Sequence, residues 1–241
     1  MYGFKGPIAA DSPRFIDPSS KLGALACRYL DALLARERGR ATDIVLCALD
    51  EGTQLEDVYV DIFQAAQYEV GALWERGVIS VGHEHYCTNA TQMNMAMLYP
   101  RLFRTEQGQG RLVAACVQGE LHELGVRMLA DLFTCRGWNS DYLGANTPPD
   151  AVIHMLEETP ADLLAIGVTL HTHLEQAEKL IRGVRSVPAL RNLPILVGGY
   201  SIRVTDSLWR KLGADGTADD ARAAVALAHD LIDSRRRLAR E

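Results

Sequence analysis

The pattern of apolar residues changes character once along the chain, across Thr105-Glu106-Gln107-Gly108-Gln109-Gly110, and that change divides the fold in two. Before it, apolar residues recur at helical spacing with no strand-like alternation. Ser19 or Ser20 caps a first helix with the stripe Leu22, Leu25, Ala26, Tyr29, Leu30 and Leu33, and Gly39 ends it. Thr42 caps a second helix, closed by Gly52. Thr53 and Glu56 form a capping box for a third, which carries Leu55, Tyr59, Ile62, Ala66, Val70 and Leu73 and stops at Gly77. Ser80 caps a fourth that runs to about Arg104, with Met93, Met95 and Met97 as core fillers. Residues 19–104 therefore predict a four-helix bundle, preceded by a flexible arm over 1–18 and followed by a linker over 105–110.

Residues 111–241 alternate short apolar runs with amphipathic stretches. The runs at 112–117, 138–143, 163–169, 195–197 and 214–215 predict five strands with helices between them. That is an α/β domain with a flavodoxin-like (Rossmann-type) five-stranded parallel sheet, which binds ligands at the carboxyl ends of its strands.

Composition narrows the function classes. Of 241 residues, 48% are hydrophobic and 23% charged, the balance of a globular protein. No apolar run approaches the roughly 18 residues of a membrane span. A net charge of −6 disfavours direct nucleic-acid binding, and Arg235-Arg236-Arg237 complements a helix C-terminus instead. Five scattered cysteines with no C-x-x-C pair predict reduced thiols and a cytoplasmic setting.

The chemistry gathers at one sheet edge. The loop after the first strand contains Glu120, Leu121, His122 and Gly125. An imidazole there can ligate a borderline metal, and a carboxylate two residues away can fix its tautomer. Gly167-Val168-Thr169 ends the third strand and Gly198-Gly199 follows the fourth, a floor without side chains. His171 and His173, past the third strand, either touch a ligand or sit in a solvent loop.

Glu120-x-His122-x-x-Gly125, Gly167-x-Thr169 and Gly198-Gly199 together resemble the D-x-H-x-x-G … S-x-L … G-G pattern of cobalamin-binding domains. The resemblance implies His122 as the lower axial ligand of cobalt, with the benzimidazole tail displaced into the sheet crevice. It also places Val126, His171, Tyr200 and Thr217 with the residues above around the cofactor. Two positions depart from the pattern: Glu120 replaces Asp, and Gly167 replaces the Ser whose contact Thr169 would supply.

In the helical half, Trp74, nine residues, then Glu84-His85 is similar to the W-x9-E-H signature of CarH-like cobalamin photoreceptors. Taken alone, these residues read as a core Trp and an acid suited to a helix start. The resemblance instead implies a helical cap in which Trp74, Val81, Glu84 and His85 enclose an adenosyl group. Glu75 stands where the transcription-factor members carry a ligating His. The function so implied is a stand-alone, non-enzymatic light sensor. It would bind adenosylcobalamin, signal by photolysis of the cobalt–carbon bond, and act through a homo-oligomer and a protein effector. The alternatives are a corrinoid methyl carrier of a methyltransferase system and a photocobilin-like receptor that also carries a bilin such as biliverdin.

Overall fold

The computed structural model describes residues 14–103 and 108–238, the side chains of 236–238 excepted. The chain forms two compact units, one ending at Leu98 and one starting at Tyr99. Residues 1–13 of the arm and 104–107 around the linker lie outside the described residues. The end of the arm is docked: Phe15 N donates to Glu69, its ring tilts against Tyr68 at 5.4 Å, and Ile16 is buried.

The first unit is helical. α1 spans Lys21–Leu34 and is capped by Ser20, whose Oγ accepts from Gly23 N at 2.9 Å. The chain then turns at Arg36, which takes a positive φ of 61°. Gly39, expected to end the first helix, therefore lies inside α2, Arg38–Asp50. Thr42 is inside α2 as well and does not cap it; its hydroxyl donates to Asn94 Oδ1 at 2.7 Å. α3 is one continuous run of Leu55–Asp57, a π-helical segment Val58–Gln64, and Ala65–Glu75. Gln54, and not the expected Thr53, stands at its N-cap, and it makes no side-chain capping bond.

The wider π turn lets Val58, Tyr59, Val60, Ile62 and Phe63 all be buried, more than one α-helical stripe accommodates. Phe63 packs its ring against Tyr29 and Tyr59. α4, Val81–Leu98, buries Cys87, Ala90, Met95 and Leu98. Of the three methionines expected in the core only Met95 is there; Met93 and Met97 are exposed. A buried polar chain joins the helices: Tyr29 OH meets Thr91 Oγ1 at 2.9 Å, Asn94 Nδ2 donates to Tyr29 OH, and Gln67 Nε2 donates to Thr91 Oγ1. Burial pushes the Tyr29 phenol up to about 12.

The second unit is the α/β domain. Its strands are β1 Arg111–Val117, β2 Asn139–Thr147, β3 Leu163–Gly167 and β4 Ile195–Gly198. Its longer helices are α5 Leu124–Cys135, α6 Pro149–Glu158, α7 Leu174–Ser186 and, after two short turns of helix, a last one at Ala221–Leu238. The order is β2-β1-β3-β4, all parallel. The sheet thus has four strands among the described residues, not the expected five. At 214–216 the chain makes only an isolated bridge, Leu196 with Gly216.

A fully buried parallel sheet needs apolar side chains on both faces. β1 supplies them: Val113, Ala115 and Val117 face one core with α6 and α7, while Leu112, Ala114 and Cys116 face the other with α5 and the last helix. Arg235 lies in the last turn of the last helix, as expected, and is also paired with Asp215, which takes Arg185 at 2.7 Å. The chain runs outward from β1 to β2 and then crosses back to β3. The loops after β1 and β3 consequently part at the switch point, the place where open α/β sheets bind ligands.

Candidate cofactor site

The loop after β1 is pinned before it carries any chemistry. Gly119 turns it with a positive φ of 85°, which a side chain would strain. Gly119 N donates to Asn146 Oδ1 at 2.7 Å, and Asn146 N donates to Glu120 O at 2.9 Å, tying the loop to the end of β2. Glu123 Oε2 accepts from Tyr142 OH and Ala145 N, a second tie to the same strand.

Glu120 is fully buried in the gap between the two loops. Its Oε1 accepts from His122 N at 3.0 Å and from His122 Nδ1 at 2.5 Å. Its Oε2 accepts from Thr169 N at 2.8 Å, Leu170 N at 3.0 Å and His173 Nδ1 at 3.1 Å. Burial by itself would raise this carboxyl. The hydrogen bonds from His122, the Leu170 amide and His173 outweigh it and hold the group well below the ordinary carboxylate range. An ionised carboxylate only accepts, so the bonded Nδ1 of His122 carries its proton and the ring lone pair lies on Nε2. The His122 side chain is 52% exposed and Leu121 beside it is exposed too.

The other residues expected at this edge take distinct places. Thr169 joins the Glu120 group through its amide, and its carbonyl accepts from the buried Ser201 hydroxyl at 2.6 Å. His171 Nδ1 meets the same hydroxyl at 2.9 Å. Gly125 and Gly198 face open space, with nothing within 4 Å of where a Cβ would stand. At Gly199 a Cβ would lie 2.2 Å from Val168 O, so only glycine fits. Gly167 cannot carry the usual serine, because Val126 Cγ2 would lie 2.1 Å from its Cβ. Val126, Gly167 and Val168 are packing residues, all buried. Tyr200 is exposed with Arg203 over its ring, and Thr217 is half-buried just past the bridge at Gly216. Neither belongs to the Glu120 group.

His173, left open between ligand contact and solvent loop, is 21% exposed and bound to Glu120. Its position six residues past Gly167 carries no pattern that pairs it with Glu120. Asn146 and Ser201 were likewise missed, since isolated polar residues in loops carry no spacing signal.

The helical unit holds the remaining expected residues. Trp74 is 46% exposed, which corrects the core-tryptophan reading. Val78 and Val81 in the same turn are exposed. Glu84 Oε2 meets His85 Nδ1 at 2.5 Å, and its Oε1 accepts from Thr88 Oγ1 at 2.9 Å. Trp74→Ala is expected to cost about 1 kcal/mol or less, as for other partly exposed positions. A large fall in the melting temperature of this variant would return Trp74 to the core.

The arrangement suits a metal that arrives inside its own macrocycle. Among the described residues no three His, Cys, Asp or Glu gather to hold a bare ion. One exposed imidazole with a fixed tautomer beside a glycine floor fits the lower side of a cobalt corrin. Among the described residues no helix is long and apolar enough to cross a membrane.

Comparison with known proteins bears on the same residues. B12 binding domain families match residues 25–99 and 110–226. A corrinoid protein of Desulfitobacterium hafniense (strain Y51) is 25% identical over 190 residues, covering 77% of this chain and 87% of its own. Dimethylamine corrinoid protein 3 of Methanosarcina acetivorans is 25% identical over 203 residues, covering 84% and 94%. The solved monomethylamine corrinoid protein of Methanosarcina barkeri shares the fold, with a TM-score of 0.75 at 20% identity over 84% of this chain and 96% of that one.

These relatives are named as corrinoid proteins, some of methylamines, and not as light receptors. They overturn the expectation of a light sensor that signals by photolysis and favour the methyl-carrier alternative. Neither an adenosyl upper group nor a bilin finds support in them, and they are silent on a homo-oligomer and a regulatory effector. Matched by B12 binding domains over residues 25–99 and 110–226, the chain is similar to cobalamin-binding proteins along most of its length, which supports a cobalamin-binding family.

Proposed function

We propose that this protein is a corrinoid methyl carrier, a non-enzymatic component that presents methylcobalamin to a separate methyltransferase. The observation that carries the reading is the buried Glu120 holding the Nδ1 proton of an exposed His122 at the sheet's switch point. The names of the relatives support the carrier role. Bound cobalamin supplies a cobalt centre that can take up and release a methyl group.

The chain's own residues do the rest. His122 offers Nε2 as the lower ligand, and Glu120 fixes its ring orientation and tautomer. Thr169 and Leu170 fix Glu120 through their amides, so the ligand loop and the loop after β3 hold as one piece. Gly198 leaves room for the cofactor to approach the strand end. The setting proposed is cytoplasmic, in keeping with five free thiols.

Binding of methylcobalamin and adenosylcobalamin in the dark tests the carrier role. A carrier is expected to bind the methyl form at least as tightly as the adenosyl form. Retention of adenosylcobalamin alone, at more than tenfold higher affinity, would overturn it.

A further inference from the structure

Glu120 receives more hydrogen bonds than one carboxylate readily shares. A carboxylate has about four lone-pair sites, and here five N–H groups converge on it from two loops. Two come from the candidate ligand His122 itself, and two are backbone amides fixed by the fold. The fifth, His173 Nδ1, is the one donor supplied by a side chain other than His122. The ring of His173 also lies against the turn at Gly119, where a Cβ would meet its Nε2 at 3.4 Å. Its position is therefore built on both sides.

A carboxylate raises the basicity of an imidazole whose N–H it accepts, and a more basic imidazole is a stronger ligand. Every other donor on that carboxylate draws charge away from the bond. We propose that His173 is a positioning residue that shares Glu120 with His122 and so keeps His122 a weak, readily released ligand of cobalt. The inference deepens the carrier reading and rests on it. A corrin held here would pass its methyl group, as a cation equivalent, to a nucleophilic acceptor and keep the bond's electron pair on cobalt, and a weakly held His122 would favour that reduced cobalt. Glu120 keeps its place when His173 is changed, because the Thr169 and Leu170 amides still hold Oε2.

The test is the Co(II)/Co(I) midpoint potential of cobalamin-loaded protein, read beside the nitrogen splitting in the Co(II) paramagnetic resonance spectrum. His173→Leu, which has no donor, is expected to tighten His122 ligation about tenfold, equivalent to a midpoint about 59 mV more negative for one electron. Its nitrogen splitting should grow. His173→Gln keeps an N–H and should stay with the wild type. If the Leu variant fails to load, His173→Ala carries the same expectation. An unchanged midpoint in the donor-free variant, or an equal shift in the Gln variant, overturns the role of His173 alone. Absence of a histidine nitrogen signal in the wild type overturns the carrier site itself.

Discussion

Replacing Glu120 by alanine is expected to destabilise the α/β unit by about 3 kcal/mol or more, because several buried N–H donors lose their acceptor at once. The side chain is fully buried, and its loss strips the acceptor from the amides of His122, Thr169 and Leu170 and from two imidazoles. An unsatisfied buried donor costs about 1–3 kcal/mol, and water entering the space would recover part of that. The effect has a pH signature. Hydrogen bonding holds the folded carboxyl below its unfolded value, so its contribution is complete at neutral pH. That contribution declines as pH falls below about 4.3, where the unfolded group protonates, toward the folded value. Urea unfolding at pH 7 and in acid checks both parts. Glu120→Gln should lack this share of the acid slope, and an alanine variant within 1 kcal/mol of wild type would show that the two loops are held by other means.

His122→Ala should do the reverse, with little change in stability and a large change in binding. The ring is half-exposed, so its removal leaves no cavity in either core. The buried Glu120 keeps three donors from the loop after β3. Removing an outer partner of a metal ligand typically costs 10–100-fold in affinity, and losing the ligand itself should cost more than about 100-fold. Any cobalamin that stays bound should show the spectrum of its own benzimidazole ligand. Equilibrium dialysis with methylcobalamin measures the loss. A variant that binds within a few-fold of wild type would assign the ligand elsewhere.

Much of the site was legible in the sequence because its parts sit at strand ends, where apolar runs give way to glycine. His122, Glu120 and Gly199 are each fixed by local chain geometry. The Glu in place of Asp was visible as a departure, but not its meaning. The longer side chain reaches the loop after β3, 49 residues on, and periodicity carries no information about that distance. His173 was hidden for the same reason. The serine missing at Gly167 finds its cause in Val126, whose methyl fills the space from α5.

The helical unit misled where local signals competed with packing. Thr42 and Thr53 are good capping residues, yet the chain turns at Arg36 and Gln54 instead. The reason at Thr42 is a side-chain bond to Asn94 across the unit. The π-helical segment in α3 has no signature in a stripe of period 3.6. The expected fifth strand is cut to a single bridge, in which Asp215 N donates to Ile195 O at 2.8 Å and Gly216 O accepts from Val197 N at 3.0 Å. The functional reading went astray at a different level. The helical signature pointed to a light receptor, whereas the relatives found along the chain are corrinoid proteins.

The most direct test of the account is the paramagnetic resonance spectrum of cob(II)alamin bound to protein grown with 15N-labelled histidine. Nitrogen coordinated to Co(II) splits each cobalt line, as a triplet for 14N and a doublet for 15N. With His122 as the lower ligand, the labelled wild type should show doublets, and His122→Ala should lose them. Triplets in the labelled protein would mean that the cofactor keeps its own benzimidazole on cobalt, and would contradict the central claim.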